Sequence, residues 1–569
     1  MNKNEKYLLW CSQDLLDADL TDELNSIRKN DAEITDRFYK DLSFGTGGLR
    51  GIIGAGTNRI NVYTVGKATQ GLANYLNKNY NSPKVAIAYD SRIKSDVFAK
   101  EAARILAANN IKVVIYSELM PTPALSFAVR HLNCTAGIVI TASHNPAEYN
   151  GYKVYGEDGC QIANDVADAV LKEINNTDIF SDVKSMDFND ALNSGLIKYI
   201  GEDDVRAFWN AVSSQALNRN ISNKENLKIV YTPLNGAGLR CVTNVLKMNG
   251  FSDVTVVASQ EKPDGHFPTC PYPNPEVKEA LCEGLKVCKS CNADILLATD
   301  PDCDRIGIAI KHGGDYELLS GNEVGVLLFD YICKTRRASN TMPQGPVCIK
   351  TIVTTDMIYP IAKKYGVRVI DVLTGFKFIG EQIGLLEKHG RAEQYIFGFE
   401  ESYGYLSGTH VRDKDAVNAA LLICEMTAFY RNQGLTLIDV LNSLYREFGH
   451  YKNVLKSFTF TGKSGFEKME SIMAELRENP LSNINGKAVI TVCDYLNRVK
   501  TVMHNSNKEK IDLPASNVLK FILTDDISIV VRPSGTEPKL KIYISVVSDS
   551  SDNSKALADS FCEYFEKLF

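Results

Sequence analysis

AGIVITASHNP, residues Ala136 to Pro146, is the stretch whose reading decides the fold. Ala136 to Ile140 are small or β-branched and apolar, as in a buried strand, and Asn145-Pro146 forces a polar turn behind them. Ser143 sits in that turn, and Lys153 follows past what reads as a second turn at Asn150-Gly151. The same grammar recurs in ADILLATDPDCDR, from Ala293 to Arg305, and in QYIFGFEESYG, from Gln394. Outward from each of these, strands alternate with helical patterns. The first set has strands from Lys84 and Lys112 and helices over Val97–Asn109 and Ala124–Leu132. The second has strands from Leu227 and Asp253 and helices over Leu239–Met248 and Val277–Lys289. The third has strands from Gly345 and Val367 and helices over Asp356–Tyr365 and Phe376–Lys388.

Strand–helix alternation predicts parallel pairing in α/β layers. All three polar loops fall at strand ends, where open α/β sheets place their ligands. The expected fold is therefore α/β: three similar mixed α/β domains and a C-terminal α+β domain around one central cleft. The repeat rests on pattern, not on residue identity. After about Arg446 the strands alternate in polarity, as in an antiparallel sheet with one wet face, and Asn553–Leu568 reads as a closing helix. Tyr7 to Lys40 is helix-like and is expected to pack on the first domain. The expected divisions are 1–205, 206–322, 323–448 and 449–569.

Composition sets limits. With 569 residues, 44% of them hydrophobic and 23% charged, the chain can build several ordinary cores. A net charge of −6 offers no basic field for a nucleic-acid backbone. No apolar run approaches the ~18 residues of a membrane span, and MNKNEKYLLWC lacks a signal-peptide core. The 14 cysteines follow no framework spacing, which fits reduced thiols in a cytoplasmic protein. Cys288 and Cys291 form a CxxC at a helix end, not at a helix start, and read as structural.

The loops carry the chemistry. A serine hydroxyl needs a base, or a phosphate already on it, to take part in group transfer. Lys153 and His144 are the nearby candidates for proton transfer. Asp300, Asp302 and Asp304 alternate, so an extended loop puts three carboxylates on one side. Oxygen ligands select a hard cation, Mg²⁺ before zinc. An EF-hand is excluded because its required Gly and Glu positions hold Arg305 and Lys311. Arg305 can clamp a phosphate as a fork. FGTGGLRG, Phe44 to Gly51, reads as a glycine-rich turn around an anion with Arg50 adding charge. RPSGTEPKLK offers Arg532, Ser534, Gly535 and Thr536 as converging phosphate donors, with Lys539 and Lys541 on one strand face. Glu400 and Ser402 suit adjacent sugar hydroxyls, TGFKFIG adds Thr374, Gly375 and Lys377, and VRDKD adds Lys414.

TASHNP, DPDCDR, GFEES and RPSGTEPK, in that order across nearly the whole chain, resemble the α-D-phosphohexomutase superfamily, with the closest look to the phosphoglucomutase branch that includes phosphopentomutase-like members. The resemblance implies a four-domain, heart-shaped protein with a phosphoserine at Ser143. It implies one Mg²⁺ per subunit on Asp300, Asp302 and Asp304, with Ser143 as a further ligand. It also implies sugar contacts from Glu400 and Ser402 and a distal phosphate site at Arg532, Ser534, Gly535 and Thr536. Lys153 falls where the family keeps an acid/base lysine, and Lys414 matches a lysine near the reacting hydroxyl. The implied reaction interconverts glucose 1-phosphate and glucose 6-phosphate, with glucose 1,6-bisphosphate as intermediate and activator. Phosphomannomutase or phosphopentomutase activity is the alternative on the same scaffold. The expected partners are small sugar phosphates, with neither nucleic acid nor membrane, in a monomer or homodimer whose last domain closes as a lid. Two motifs depart from the family's common forms: DPDCDR stands for DGDGDR or DPDADR, and GTGGLRG for GTSGxRG.

Overall fold

The structure is a computed structural model; it describes residues 1–45, 47–460, 462–534 and 539–569, with backbone alone for 462–464. The chain folds as two compact units. Unit 1 is Met1–Ser320 with Ile379–Tyr395 and Ser402–Gly434; unit 2 is Gly321–Phe378 with Ile396–Glu401 and Leu435–Phe569.

Unit 1 holds two mixed sheets. The first uses β1 (Gly48–Ile52), β2 (Lys84–Tyr89), β3 (Lys112–Ile115), β4 (Ala136–Ile140), β5 (Tyr149–Gly156) and β6 (Ile197–Tyr199) in the order β1-β5-β4-β2-β3-β6. Strands β4, β2, β3 and β6 run parallel, whereas β5 is antiparallel to both β4 and β1. The second uses β7 (Ile229–Thr232), β8 (Val254–Val256), β9 (Ile295–Thr299), β10 (Ile306–His312) and β11 (Asp315–Leu319) in the order β11-β10-β9-β7-β8. There β9, β7 and β8 are parallel and β10 turns back antiparallel on β9. The central strands β4 and β9 are buried at every position, because helices cover both faces of a parallel sheet. In both sheets the loop with the chemistry joins a parallel strand to an antiparallel neighbour.

That arrangement corrects two readings. Asn150 and Gly151 make no turn; they lie inside β5, opposite Gly51 and Arg50. Lys153 is thus a strand residue, opposite Gly48 on one side and Val139 on the other. The glycine serves close approach: a Cβ at Gly151 would lie 2.3 Å from the Thr141 carbonyl oxygen, and one at Gly48 the same distance from that of Tyr152. The second half of FGTGGLRG is accordingly strand β1 rather than a cradle, and Thr46 lies outside the described residues. Gly151→Ala is expected to destabilise the protein by roughly 1–3 kcal/mol through overpacking, read as a lower denaturation midpoint in urea.

The N-terminal segment forms helices Lys3–Cys11, Ala18–Ser26 and Asp31–Phe38. Trp10 anchors them, with ring centroids 6.0 Å from Phe38, 5.5 Å from Tyr63 and 5.4 Å from Phe180. It joins the core of the first sheet.

The third segment contributes β12 (Val347–Thr351), β13 (Arg368–Val372), β14 (Tyr395–Glu400) and β15 (Gly404–Leu406). In unit 2, β12 pairs in parallel with β13. The C-terminal region adds β16 (His450–Thr459), β17 (Asn483–Ile484), β18 (Lys487–Asp494), β19 (Val499–Val502), β20 (Asn507–Lys510), β21 (Leu519–Leu523), β22 (Ser528–Pro533) and β23 (Lys539–Ser548). These pair antiparallel in the order β16-β23-β22-β21-β18-β19-β20, with β17 on β18, and helix Ser551–Leu568 follows.

This last sheet is docked on the third segment. Ile352, Val353 and Leu373 share a core with Val518, Val530 and Tyr543. Lys350 is fully buried, 3.3 Å from Asp356 and 3.2 Å from Asp371. From the last sheet, Lys520 donates to the Ile352 carbonyl (3.3 Å) and Ser528 Oγ to Asp356 (2.8 Å). Burial alone would raise the Asp356 carboxyl, but Lys520 and Lys350 hold it below the ordinary range. Because its folded-state value lies below the ordinary ~3.9, this contribution is whole above that pH and is lost as pH falls through the folded-state value. Lys350→Met leaves the partly buried Asp356 and Asp371 without this cation and is expected to cost roughly 1–3 kcal/mol, measured by chemical denaturation at neutral pH.

Candidate active site

The TASHNP loop leaves β4 and the DPDCDR loop leaves β9, and unit 1 brings them together. Ser143 Oγ donates to Asp300 Oδ2 at 2.9 Å and lies 3.1 Å from His144 Nδ1. Ser143 is nearly buried and takes a left-handed backbone (φ 53°), its N–H held by Thr141 Oγ1 at 2.8 Å. The second loop closes on its own first carboxylate: Asp300 Oδ1 accepts the N–H groups of Asp304 (3.1 Å) and Arg305 (3.0 Å). Thr122, at the start of helix Thr122–His131, grips Asp302 by N–H to carbonyl (2.9 Å) and by Oγ1 to Oδ2 (3.0 Å).

Asp300, Asp302 and Asp304 are all buried, and a ligand oxygen of each lies within 4.8 Å of the others. Burial, and then the charges of Asp302 and Asp304, push Asp300 well above the ordinary carboxylate range. Burial would raise Asp302 too, but Lys153 and the other cationic partner, Lys414, hold it far below. Lys153 Nζ sits 3.0 Å from Asp302 Oδ2, and Lys414 Nζ 3.1 Å from Asp304 Oδ2. Each of these two carboxylates keeps its other oxygen, Oδ1, buried and without a hydrogen-bond partner. Orphaned carboxylate oxygens in a buried anionic trio fit a hard divalent cation and would be costly without one.

Around this centre the loop's His144 is kept neutral by burial and by the nearby cations Arg305 and Arg50. Arg50, on β1, donates to Asn145 Oδ1 at 3.2 Å. Arg305 pairs with Glu276 at 2.7 Å and lies 3.8 Å from Asp304. Lys414 is also 3.3 Å from Asp413, whose Oδ2 accepts the Tyr155 hydroxyl at 2.7 Å. Burial notwithstanding, Lys414 and Tyr155 hold the Asp413 carboxyl below its ordinary range. Thr122, Tyr155 and Glu276 carry no sequence motif, and Asp413 stands beside Lys414 in VRDKD; only the fold places them here.

This architecture has known relatives. Family models of phosphoglucomutase/phosphomannomutase match along the chain: α/β/α domain I at residues 41–179, domain II at 206–314, domain III at 320–448 and the C-terminal domain at 496–563. A phosphoglucomutase of Staphylococcus aureus (strain MRSA252) is 37% identical over 529 residues, covering 92% of this chain and 93% of its own. The chain belongs to the phosphoglucomutase/phosphomannomutase family. The phosphoglucomutase of Staphylococcus saprophyticus is 36% identical over 513 residues, 90% of this chain and 91% of its own. Among solved structures, a putative phosphomannomutase of Thermus thermophilus shares the fold at a TM-score of 0.68 and 21% identity, covering 93% of this chain and 99% of that one. As a family member the protein is a phosphotransferase of the isomerase class.

The remaining expected site residues distribute as follows. Ser402 lies in unit 1, just past the end of β14. In unit 2, Glu400 ends β14, and its Oε1 accepts the Gly375 N–H at 2.9 Å. The Thr374 hydroxyl beside it is buried and has no hydrogen-bond partner. Lys377 lies over the Phe378 ring at 5.1 Å. Lys541 pairs with Arg532 across the β22–β23 ladder. Ser534 N–H reaches the Lys539 carbonyl at 2.7 Å, while Gly535 and Thr536 lie outside the described residues. The cysteines form no disulfide, and among the described residues no helix is long and apolar enough to cross a membrane.

Proposed function

We propose that this protein is a phosphoglucomutase, interconverting α-D-glucose 1-phosphate and glucose 6-phosphate through a phosphoserine at Ser143. The observation that carries the reading is the 2.9 Å contact between Ser143 Oγ and Asp300 inside a trio of buried carboxylates with orphaned oxygens. In the first half-reaction the phosphorus–Oγ bond breaks as a bond to the sugar hydroxyl oxygen forms. One proton leaves that hydroxyl and one arrives on Ser143 Oγ, so glucose 1,6-bisphosphate and a free serine result. The bisphosphate turns around and returns its other phosphoryl group to Ser143.

Each group has a task set by its surroundings. Lys153 and Lys414, 3.0 Å from Asp302 and 3.1 Å from Asp304, are the candidate acid/base groups for the sugar hydroxyl. His144, neutral and 3.1 Å from Ser143 Oγ, can exchange the serine's proton. Asp300, Asp302 and Asp304 would hold one Mg²⁺ with a phosphoserine oxygen; bound there, it supplies charge neutralisation for the transferring phosphoryl group. Arg305 and Arg50 add positive charge on the same side. In unit 2, Glu400 with the Thr374–Lys377 turn and Ser402 in unit 1 are the candidate sugar contacts, and Arg532, Ser534, Gly535, Thr536 and Lys541 the candidate distal phosphate site. The four-domain division at 205/206, 322/323 and 448/449, a monomeric or dimeric state and a cytoplasmic location complete the reading.

A coupled assay for glucose 6-phosphate, run with and without glucose 1,6-bisphosphate, tests it. Turnover of glucose 1-phosphate that rises with the bisphosphate supports the proposal. Preference for mannose, ribose or deoxyribose 1-phosphate would reassign the sugar, and no turnover of any of them would end it.

A further inference from the structure

The nucleophile loop is held from beneath by one side chain that the mechanism does not use. Arg92 follows β2 in the turn Asp90-Ser91-Arg92 and is almost wholly buried. Its guanidinium directs all five N–H groups to main-chain oxygens of the Ser143 loop. Nε and Nη2 donate to the Ser143 carbonyl at 3.2 and 2.5 Å, and Nη2 also donates to that of Asn145. Nη1 donates to the carbonyls of Pro146 (2.8 Å) and Tyr149 (3.0 Å). The residue is itself fixed. Asp90 Oδ1 accepts its N–H at 2.9 Å and the Ser95 hydroxyl at 2.8 Å, and Asp90 Oδ2 lies 3.5 Å from Nε. The ring of Phe267, from the segment between β8 and the helix Cys282–Cys291, supports the guanidinium at 5.1 Å.

We infer that Arg92 is a positioning residue for phosphoryl transfer: it sets the Ser143 loop so that Oγ meets the carboxylate trio. With the carbonyls of residues 143, 145, 146 and 149 turned onto one buried fork, the loop cannot rotate its serine away without stripping hydrogen bonds from a buried cation. That restraint holds Ser143 at its left-handed backbone angle. The buried positive charge also lies under a serine that must carry a phosphate dianion, where a fixed cation stabilises the charge without reorganising. No N–H is left over for substrate, so Arg92 acts through the loop and does not touch the sugar phosphate. Lysine cannot substitute, because a single ammonium has three donors at one point and cannot span four carbonyls.

The inference rests on the mutase reading, and the experiment keeps the two apart. Wild-type turnover of glucose 1-phosphate tests the mutase reading by itself; an inactive wild type would sink that reading, and an active one lets the variants speak. Arg92→Lys is expected to lower kcat about 100-fold, with KM for glucose 1-phosphate within about threefold. Phosphoryl uptake by Ser143 from glucose 1,6-bisphosphate, followed by intact mass, should slow in parallel. In Arg92→Ala, millimolar methylguanidinium should restore part of kcat, which a purely structural role would not show. If neither variant gives a wild-type-like melting transition, Phe267→Leu is measured instead; it loosens the support but keeps every donor, and should lower kcat several-fold at unchanged KM. A folded variant with kcat within threefold of wild type would overturn the inference. So would a loss carried by KM alone, or one that merely tracks the unfolded fraction.

Discussion

Ser143→Ala should lower mutase turnover by on the order of 10⁴-fold or more, because no other oxygen at the centre can take the phosphoryl group. The fold should survive. The change removes one hydroxyl whose hydrogen bond to Asp300 contributes about 1 kcal/mol, and alanine tolerates the backbone angle about as well as serine does. The assay is coupled glucose 6-phosphate formation, beside a melting curve to show that the variant is native. The same variant separates a mutase from a metal-dependent phosphatase built on the aspartate trio, which would keep phosphate release without Ser143. Retained mutase turnover in Ser143→Ala would remove the serine from the mechanism.

Asp302→Asn should be the next most damaging change, with turnover down on the order of 10³-fold. It has a second readout that does not depend on catalysis. If the trio binds Mg²⁺, the wild-type protein gains about 2.7 kcal/mol when free Mg²⁺ is 100 times its dissociation constant. Its melting temperature should therefore climb with added Mg²⁺ and fall back with a chelator. Asp302→Asn loses one of the two orphaned oxygens' negative charges and breaks the ion pair to Lys153. Its melting temperature should respond weakly to Mg²⁺ or not at all. Equal Mg²⁺ stabilisation in both proteins would place the cation elsewhere.

Which parts of this arrangement could be read from sequence follows from how local their causes are. Strands β4 and β9 announce themselves, because burial on both faces demands unbroken apolar runs that end abruptly in Ser- and Asp-bearing turns. The carboxylate trio is legible for the same reason: its members alternate within one loop. Asn150-Gly151 misleads because the dipeptide is a strong turn signal, yet here the glycine answers Thr141, just past the end of β4, whose carbonyl leaves no room for a Cβ. Arg92 is invisible in sequence, since DSR after a strand looks like any polar turn; its partners lie 51 to 57 positions away. Tyr155 and Asp413, 258 positions apart, meet only through the fold. The docking of the last sheet is hidden likewise, because nothing local to Lys350 in its strand foretells that Asp356 and Asp371 close around it. Local periodicity thus reveals elements and loops, while long-range partners decide what those loops hold.

The central claim is that the transferred phosphoryl group rests on Ser143 beside the aspartate trio. Intact-mass measurement with peptide mapping, on protein incubated with glucose 1,6-bisphosphate and then with excess glucose 6-phosphate, tests it most directly. The account predicts one phosphoryl group per chain, on Ser143, appearing with the bisphosphate and discharged by the monophosphate. Turnover with Ser143 never phosphorylated, or with the phosphoryl group on another residue, would contradict it.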